Sequence, residues 1–179
     1  MRDWRPPIPR EHGSWIMAAV PLLAGSAVAG RWSWGLIPFG LSVLSLLMLR
    51  GAMSGLLVSG PWQEEGSQRR YLVWTTIYAL SAALNGGILV LVWRSWNLLW
   101  LGGASAVVLG MDLHRLVKRR PLGLADEIAG SAAMAAAAPG AHYVVTGLID
   151  RTTVALWLIC ALYFTARVVM INMKIRWLR

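Results

Sequence analysis

The feature that most constrains this chain is the grouping of its apolar residues into blocks, separated by short stretches that carry nearly every charge. Hydrophobic residues make up 57% of the 179 positions, whereas charged residues make up only 14%. A soluble domain carries about 25% charged residues, because it must cover its surface with polar groups. Long apolar blocks are instead typical of helices that cross a lipid bilayer. The sequence therefore predicts an integral membrane protein.

Six such blocks predict an all-α fold, a polytopic membrane bundle of six transmembrane helices within one domain over residues 1–179. A helix needs about 20 residues to cross a hydrocarbon core of about 30 Å, and most of the blocks approach this length. The apolar segment 51–60 is too short to cross, so it either extends the second helix or lies in the membrane interface. The predicted helices cover residues 14–30, 34–50, 71–93, 96–113, 127–147 and 152–173.

Basic residues at the block ends predict the orientation of the bundle. The longer polar segments hold thirteen Lys and Arg residues, whereas the tight turns hold only Arg31, Arg94 and Arg151. Loops rich in Lys and Arg stay in the cytoplasm, so both the N and C termini are predicted to be cytoplasmic. Trp residues at the block ends agree, because indole rings favour the headgroup level. The net charge of +9 is therefore a topology signal, and we expect no nucleic-acid partner.

The fifth block is crowded with small residues, from Ala129 to the Pro139-Gly140 pair. Small side chains let neighbouring helices approach closely, so we expect this helix at the centre of the bundle. Pro139 should kink it, because proline removes a hydrogen bond and clashes with the preceding turn. In the third block, Asn85 is either the midplane residue of a carrier or an interhelical hydrogen bond, and we favour the hydrogen bond.

Polar side chains that topology does not explain collect at the predicted cytoplasmic ends of the helices. Such groups are costly at a membrane, so each is a candidate for function. Glu11 and His12 are the candidate catalytic residues, because a carboxylate and an imidazole can transfer protons. Arg167 lies inside the last helix, and we expect it to pair with Glu11, Asp112 or Glu127. The candidate binding residues are Arg115, Arg119, Arg167, Asp112 and Glu127.

Some of these residues also have simple structural explanations. Asp126 and Glu127 begin the fifth block, where the helix dipole favours acidic side chains. The basic run from Arg115 to Arg120 also suits a positive-inside signal.

The sequence predicts no cofactor. A membrane haem needs histidines at matched depth on facing helices, but His142 lies near the predicted outer end and His12 and His114 near the inner end. Mg²⁺ needs several oxygen ligands, and no set of residues at the usual zinc spacing is present. The single cysteine, Cys160, lies inside an apolar block and offers no disulfide.

The segment Pro9-Arg10-Glu11-His12-Gly13-Ser14-Trp15, followed by Pro21-Leu22-Leu23, resembles the opening of the YwiC-like family of bacterial membrane proteins. The resemblance spans nearly the whole chain. It implies a small multi-pass protein of the bacterial cytoplasmic (inner) membrane, and it brings no particular activity. It continues at Arg69 to Trp74, at Leu124 to Gly130 with Ala138-Pro139 downstream, and at Tyr163-Phe164.

A second, local resemblance lies in the run from Asp112 to Gly123, which is similar to the loop after the first Asp-rich motif of UbiA-type prenyltransferases. Those enzymes hold Mg²⁺ and diphosphate with two sets of aspartates, whereas this loop has only Asp112 and no second cluster follows. Six predicted helices are also fewer than that family uses. We transfer no catalytic residue from it.

Two functions fit these features. The first is a non-catalytic membrane component, either an accessory subunit or a small carrier, whose partners are the lipid bilayer and other membrane subunits. The second is a transferase that acts on a phosphate-bearing lipid or isoprenoid at the cytoplasmic interface. In that enzyme, basic residues such as Arg115 and Arg119 would hold the phosphate, and His12 or Glu11 would transfer a proton. We favour the first function, because acidic residues are scarce and small residues suited to packing are abundant.

Overall fold

The computed structural model describes residues 6–7, 12–58, 65–118 and 124–177. Within these ranges the chain forms helices and no strand, so the predicted all-α class is confirmed for the described residues. The helices are α1 (His12–Val28), α2 (Leu36–Val58), α3 (Glu65–Leu91), α4 (Leu98–Val117), α5 (Leu124–Ala135), α6 (Ala137–Thr146) and α7 (Arg151–Trp177).

Several helices extend beyond the apolar blocks that predicted them. The helix α2 continues without interruption to Val58, so residues 51–58 extend the second helix, while residues 59 and 60 lie outside the described ranges. Similarly, α3 begins at Glu65, six residues before the predicted position 71. Gln, Glu and Arg are good helix formers, so a helix can continue after its apolar run has ended. The apolar blocks therefore mark the part suited to hydrocarbon rather than the ends of the helices.

The predicted fifth helix is broken into α5 and α6 at Ala136. Pro139 has no N–H to donate to the carbonyl of Ala135, and its ring crowds that carbonyl. Ala136 instead donates to Ala133 in a tighter turn, with a distance of 3.2 Å between the two backbone atoms. The predicted fifth helix is thus interrupted one turn before Pro139, the residue at which a kink was predicted.

The small residues of α6 lie at the centre of the bundle, as predicted. Eight of its ten residues are buried: the whole run from Ala137 to His142, and then Val144 and Val145. The helix α1 crosses α6 at Gly25, where a Cβ would overlap the carbonyl oxygen of Ala138. Such contact between backbones is possible only because both helices carry small residues at the crossing.

Around this centre, α7 packs against α5 and α6, and α2 packs against α3, α4 and α6. In the part of the chain that the structure describes, three helical segments are long and apolar enough to cross a membrane: Leu36–Leu57, Gln68–Leu91 and Arg151–Lys174. In the most apolar window, 44% of the residues of the first are buried, but only 11% of those of the other two. The helices α3 and α7 therefore expose broad apolar faces, which include Leu80, Leu84 and Leu162.

Candidate functional site

The connections divide the bundle into two ends. At one end lie the tight connections 29–35, 92–97 and 147–150, which we call the turn end. Side chains also join these connections to neighbouring helices: Asn97, in the second connection, donates to the hydroxyl of Tyr143 in α6 over 3.3 Å. At the opposite end α2, α4 and α7 finish and α1, α3 and α5 begin. We call it the paired end, because its polar side chains are joined in pairs.

Three polar pairs link four helices at the paired end. Arg50 of α2 donates to Asp112 of α4, with 2.7 Å between Nε and Oδ2. Arg115, one turn further along α4, forms an ion pair with Asp126 at the start of α5. Glu127, the next residue, accepts a hydrogen bond from the side-chain amide of Asn172 in α7. The pairs therefore join α2 to α4, α4 to α5, and α5 to α7 in series.

Each of these pairs gives a partner to a polar or charged side chain whose desolvation near a bilayer would otherwise be unfavourable. Asp112 and Asp126 are only 15% and 18% exposed in their side chains, so each carboxylate has lost most of its water. An opposite charge or an amide donor replaces that water. Three of the acidic residues predicted to collect here are thus engaged with a neighbouring helix.

Of the three acids that the sequence suggested as partners of Arg167, Glu11 lies outside the described residues, and Arg167 pairs with neither Asp112 nor Glu127. Its guanidinium lies 5.5 Å from the ring centre of Tyr163 and donates to the Tyr163 hydroxyl over 3.4 Å. Asp112 and Glu127 are held by Arg50 and Asn172, so the expected ion pair of Arg167 with either of them is wrong. The physical reason is rotation: Asn172 follows Arg167 by five residues, which places the two side chains about 140° apart around α7.

The structure describes only part of the remaining candidate residues. Glu11 and Arg119 lie outside the described residues, and of His12 only the backbone, at the start of α1, is described. Arg50 is not among the residues predicted from the sequence, because it ends an apolar block and resembles a topology signal. The signal that identifies it is the apolar segment after it, which continues α2 and leaves Arg50 two turns inside the helix end.

The turn end carries a second polar arrangement around His142. The side chain of this buried residue lies with Nδ1 3.2 Å from the hydroxyl of Thr153. Asp150 and Thr153 cap α7 reciprocally: the backbone N–H of each residue donates to the side-chain oxygen of the other. Hydrogen bonds from the backbone and side chain of Thr153 lower the pKa of Asp150. His142 and His114 of α4 lie at opposite ends of the bundle.

Asn85 takes part in a polar contact between α2 and α3. Its side-chain amide donates to the carbonyl of Ser81 over 2.8 Å, and the Ser81 hydroxyl lies 2.8 Å from that of Ser45 in α2. The hydrogen bond of Asn85 therefore lies within α3, and Ser81 rather than Asn85 makes the contact with α2, so the interhelical hydrogen bond that we favoured for Asn85 is not seen among the described contacts. Among the described residues, no three His, Cys, Asp or Glu side chains lie close enough to hold a metal ion.

Apolar helices of membrane-spanning length, with large apolar side chains on their outer faces, define a helical membrane protein. The family model described as "YwiC-like protein" matches residues 8–142, which are 135 of the 179 residues. The chain therefore belongs to the YwiC-like family, as its opening motif predicted. Neither a curated protein nor a solved structure matches the chain.

Proposed function

We propose that this protein is a non-catalytic component of the bacterial inner membrane, an accessory subunit or a small carrier. The observation that supports this proposal most is the engagement of Asp112, Asp126 and Glu127 with three different neighbouring helices. A catalytic acid or base must be free to exchange protons with a substrate. Carboxylates that are each held by a cation or an amide from the next helix instead favour a structural role.

The contacts of Asn85 favour an accessory subunit over a carrier. A carrier binds its cargo near the bilayer midplane, commonly at a broken helix. Asn85 lies in a continuous α3 and spends its amide on Ser81, which in turn contacts Ser45 of α2. The amide of Asn85 is thus satisfied within α3, and the hydroxyls of Ser81 and Ser45 make the contact between the two helices, which is worth about 0.6 kcal/mol.

We further propose six membrane crossings, with α5 and α6 forming one broken crossing and both termini in the cytoplasm. The turn end would then face the periplasm. Reporter fusions at Arg31, Arg94 and Asp150 test this topology. We expect all three to be active only with a periplasmic reporter, and fusions after Lys118 and Arg179 only with a cytoplasmic one. A cytoplasmic signal at any of the three turns would contradict the six-crossing arrangement.

An exchange of charge between Arg50 and Asp112 tests the structural role of the pairs. Arg50→Asp alone places two carboxylates together and should lower both the melting temperature and the yield of inserted protein. Adding Asp112→Arg restores an ion pair of reversed polarity, so stability should return. A strain that lacks the gene should then be complemented by the double variant as well as by wild type.

The alternative is an enzyme that transfers a group on a phosphate-bearing lipid or isoprenoid. Arg115, Lys118 and the neighbouring basic residues at the paired end favour this second candidate, because guanidinium and ammonium groups bind phosphate. A catalytic or phosphate-binding role requires a particular charge at a particular position, whereas a packing role requires only that the two paired side chains carry opposite charges. A double variant that is stable but fails to complement would therefore favour the enzyme, as would loss of complementation in a stable His12→Ala variant.

A further inference from the structure

The face of α7 that packs into the bundle is covered along its first part and uncovered along its last part. Leu156, Cys160 and Phe164 are 9%, 8% and 3% exposed. Seven residues correspond to about two turns, so Arg167 and Ile171 continue the same face beyond Cys160 and Phe164. Both are nevertheless exposed, with Ile171 at 58%. The packing face of α7 thus extends past the part of the bundle that covers it.

The helix α1 forms the other wall of this open region. Met17 of α1 packs against the cluster that contains Cys160 and Phe164. Gly13 precedes Met17 by one turn on the same face of α1, and a Cβ added there would meet nothing within 4 Å. We call the space between the first turn of α1 and the part of α7 from Arg167 to Lys174 the α1–α7 groove.

The α7 wall of this groove carries two cations. Lys174 follows Arg167 by two turns, about 10 Å along the axis, and is also exposed. Neither lies within ion-pairing distance of a carboxylate in the described part of the chain. Glu127 is engaged with Asn172, which faces a different side of α7. No carboxylate in the described ranges therefore neutralises these two cations.

We propose that the α1–α7 groove binds the phosphate of an anionic phospholipid. An arginine inside a membrane span is costly unless it reaches the headgroups or meets an anion. Arg167 lies within about 10 Å of the end of the span Arg151–Lys174, where its long side chain reaches phosphate depth. Guanidinium groups bind phosphate through two parallel hydrogen bonds, and the Tyr163 hydroxyl, 3.4 Å away, orients the guanidinium.

The rest of the groove also suits a lipid better than a partner helix. Ile171 lies between the two cations and offers apolar surface to an acyl chain. The carboxylate of a partner helix would itself have to be desolvated at this depth, whereas a lipid phosphate is already present there. Basic pockets between helices on the cytoplasmic side are known to bind anionic headgroups. The proposal requires α7 to lie in a bilayer, and it holds for either function considered above.

Native mass spectrometry tests the proposal on the full-length protein, purified with an equimolar mixture of phosphatidylglycerol and phosphatidylcholine. We expect wild type to retain phosphatidylglycerol preferentially. Arg167→Gln should lower its retention roughly fivefold, and Arg167→Lys should restore most of it. Arg151→Gln is the matched control, because it removes an exposed arginine from the other end of the same helix. It should leave the lipid preference unchanged.

The outcomes separate the alternatives. Equal retention of the two lipids by wild type, or the same preference in wild type and Arg167→Gln, would overturn the proposal. A stoichiometric membrane protein that is bound in place of lipid and lost in Arg167→Gln would also overturn it, and would assign the groove to a partner helix. If Arg167→Gln cannot be purified, Lys174→Gln should show the same loss. An error in the six-crossing topology would appear in the reporter fusions and would leave the lipid preference intact.

Discussion

The two ends of the bundle hold the same helices by different means. At the turn end the helices are held together mainly by the short backbone connections between them, which are four to seven residues long. Gly147 ends α6 in the left-handed conformation with φ 73°. At the paired end, α4 and α5 are held together by Arg115 and Asp126, and α2 and α4 by Arg50 and Asp112. Steric changes should therefore be most damaging towards the turn end, and changes of charge at the paired end.

The close crossing of α1 and α6 provides the largest expected effect. In Gly25→Ala, the new Cβ would overlap the carbonyl oxygen of Ala138 and lie 2.9 Å from its carbonyl carbon. Backbone atoms of a buried helix cannot move aside as a side chain can, so we expect a loss of about 3 kcal/mol in the free energy of unfolding. Thermal unfolding in detergent measures it.

Gly102→Ala is the control for this substitution. Gly102 also lies within a helix, but a Cβ there would meet nothing within 4 Å. Alanine is the better helix former by up to about 1 kcal/mol, so this variant should be as stable as wild type or slightly more stable. An equal loss of stability in both variants would contradict the idea that close packing of backbones explains the effect of Gly25→Ala.

Asp112→Ala tests the paired end and should have the next largest effect. It removes the partner of Arg50 and leaves that guanidinium at the edge of the bundle without its acceptor. Because the Arg50 side chain is 48% exposed, water replaces part of the lost interaction. We expect a loss of about 2 kcal/mol in the free energy of unfolding, measured by the same thermal assay. Lys118→Ala, an exposed residue at the same end, should change stability by less than about 0.5 kcal/mol.

Local effects in this chain could be predicted from the sequence, whereas the choice of polar partners could not. The break before Pro139 agrees with the missing N–H of that residue, although Pro21 lies inside α1 without breaking it. The partner of Arg167 depends on how α7 is rotated against α5, which turns Asn172 rather than Arg167 towards Glu127. Rotation is decided by packing along the whole helix, and spacing within one apolar block does not reveal it.

The pairing of Arg50 was also not predicted from the sequence, for a reason that applies to membrane helices in general. A basic residue at the end of an apolar block indicates the membrane boundary only if the helix stops there. Here α2 continues to Val58, so Arg50 lies within the helix and can reach Asp112 of α4. The candidate site thus contains a residue that its position in the sequence made inconspicuous.

Thr153→Val should have a smaller effect, confined to the turn end. The substitution removes the hydroxyl that accepts from the backbone N–H of Asp150 and contacts His142. Loss of half of the reciprocal cap should lower the free energy of unfolding by about 1 kcal/mol. Thr153→Ser keeps the hydroxyl and should remain close to wild type in thermal unfolding. An equal loss in Thr153→Ser, which keeps the hydroxyl, would contradict the cap as the source of the effect.

The smallest expected effect is the response of the turn end to acid. Hydrogen bonds from Thr153 lower the pKa of Asp150 from its ordinary value of 3.8. Because the folded-state pKa is the lower one, this contribution to stability is fully present above the unfolded value and is lost as the pH falls through the folded value. Protection of the first turn of α7 against hydrogen exchange should therefore weaken below about pH 4. Asp150→Asn keeps a capping side chain without a titrating group, so its first turn should show no such dependence. If that variant lost protection in acid as wild type does, the pH response would have to come from another group.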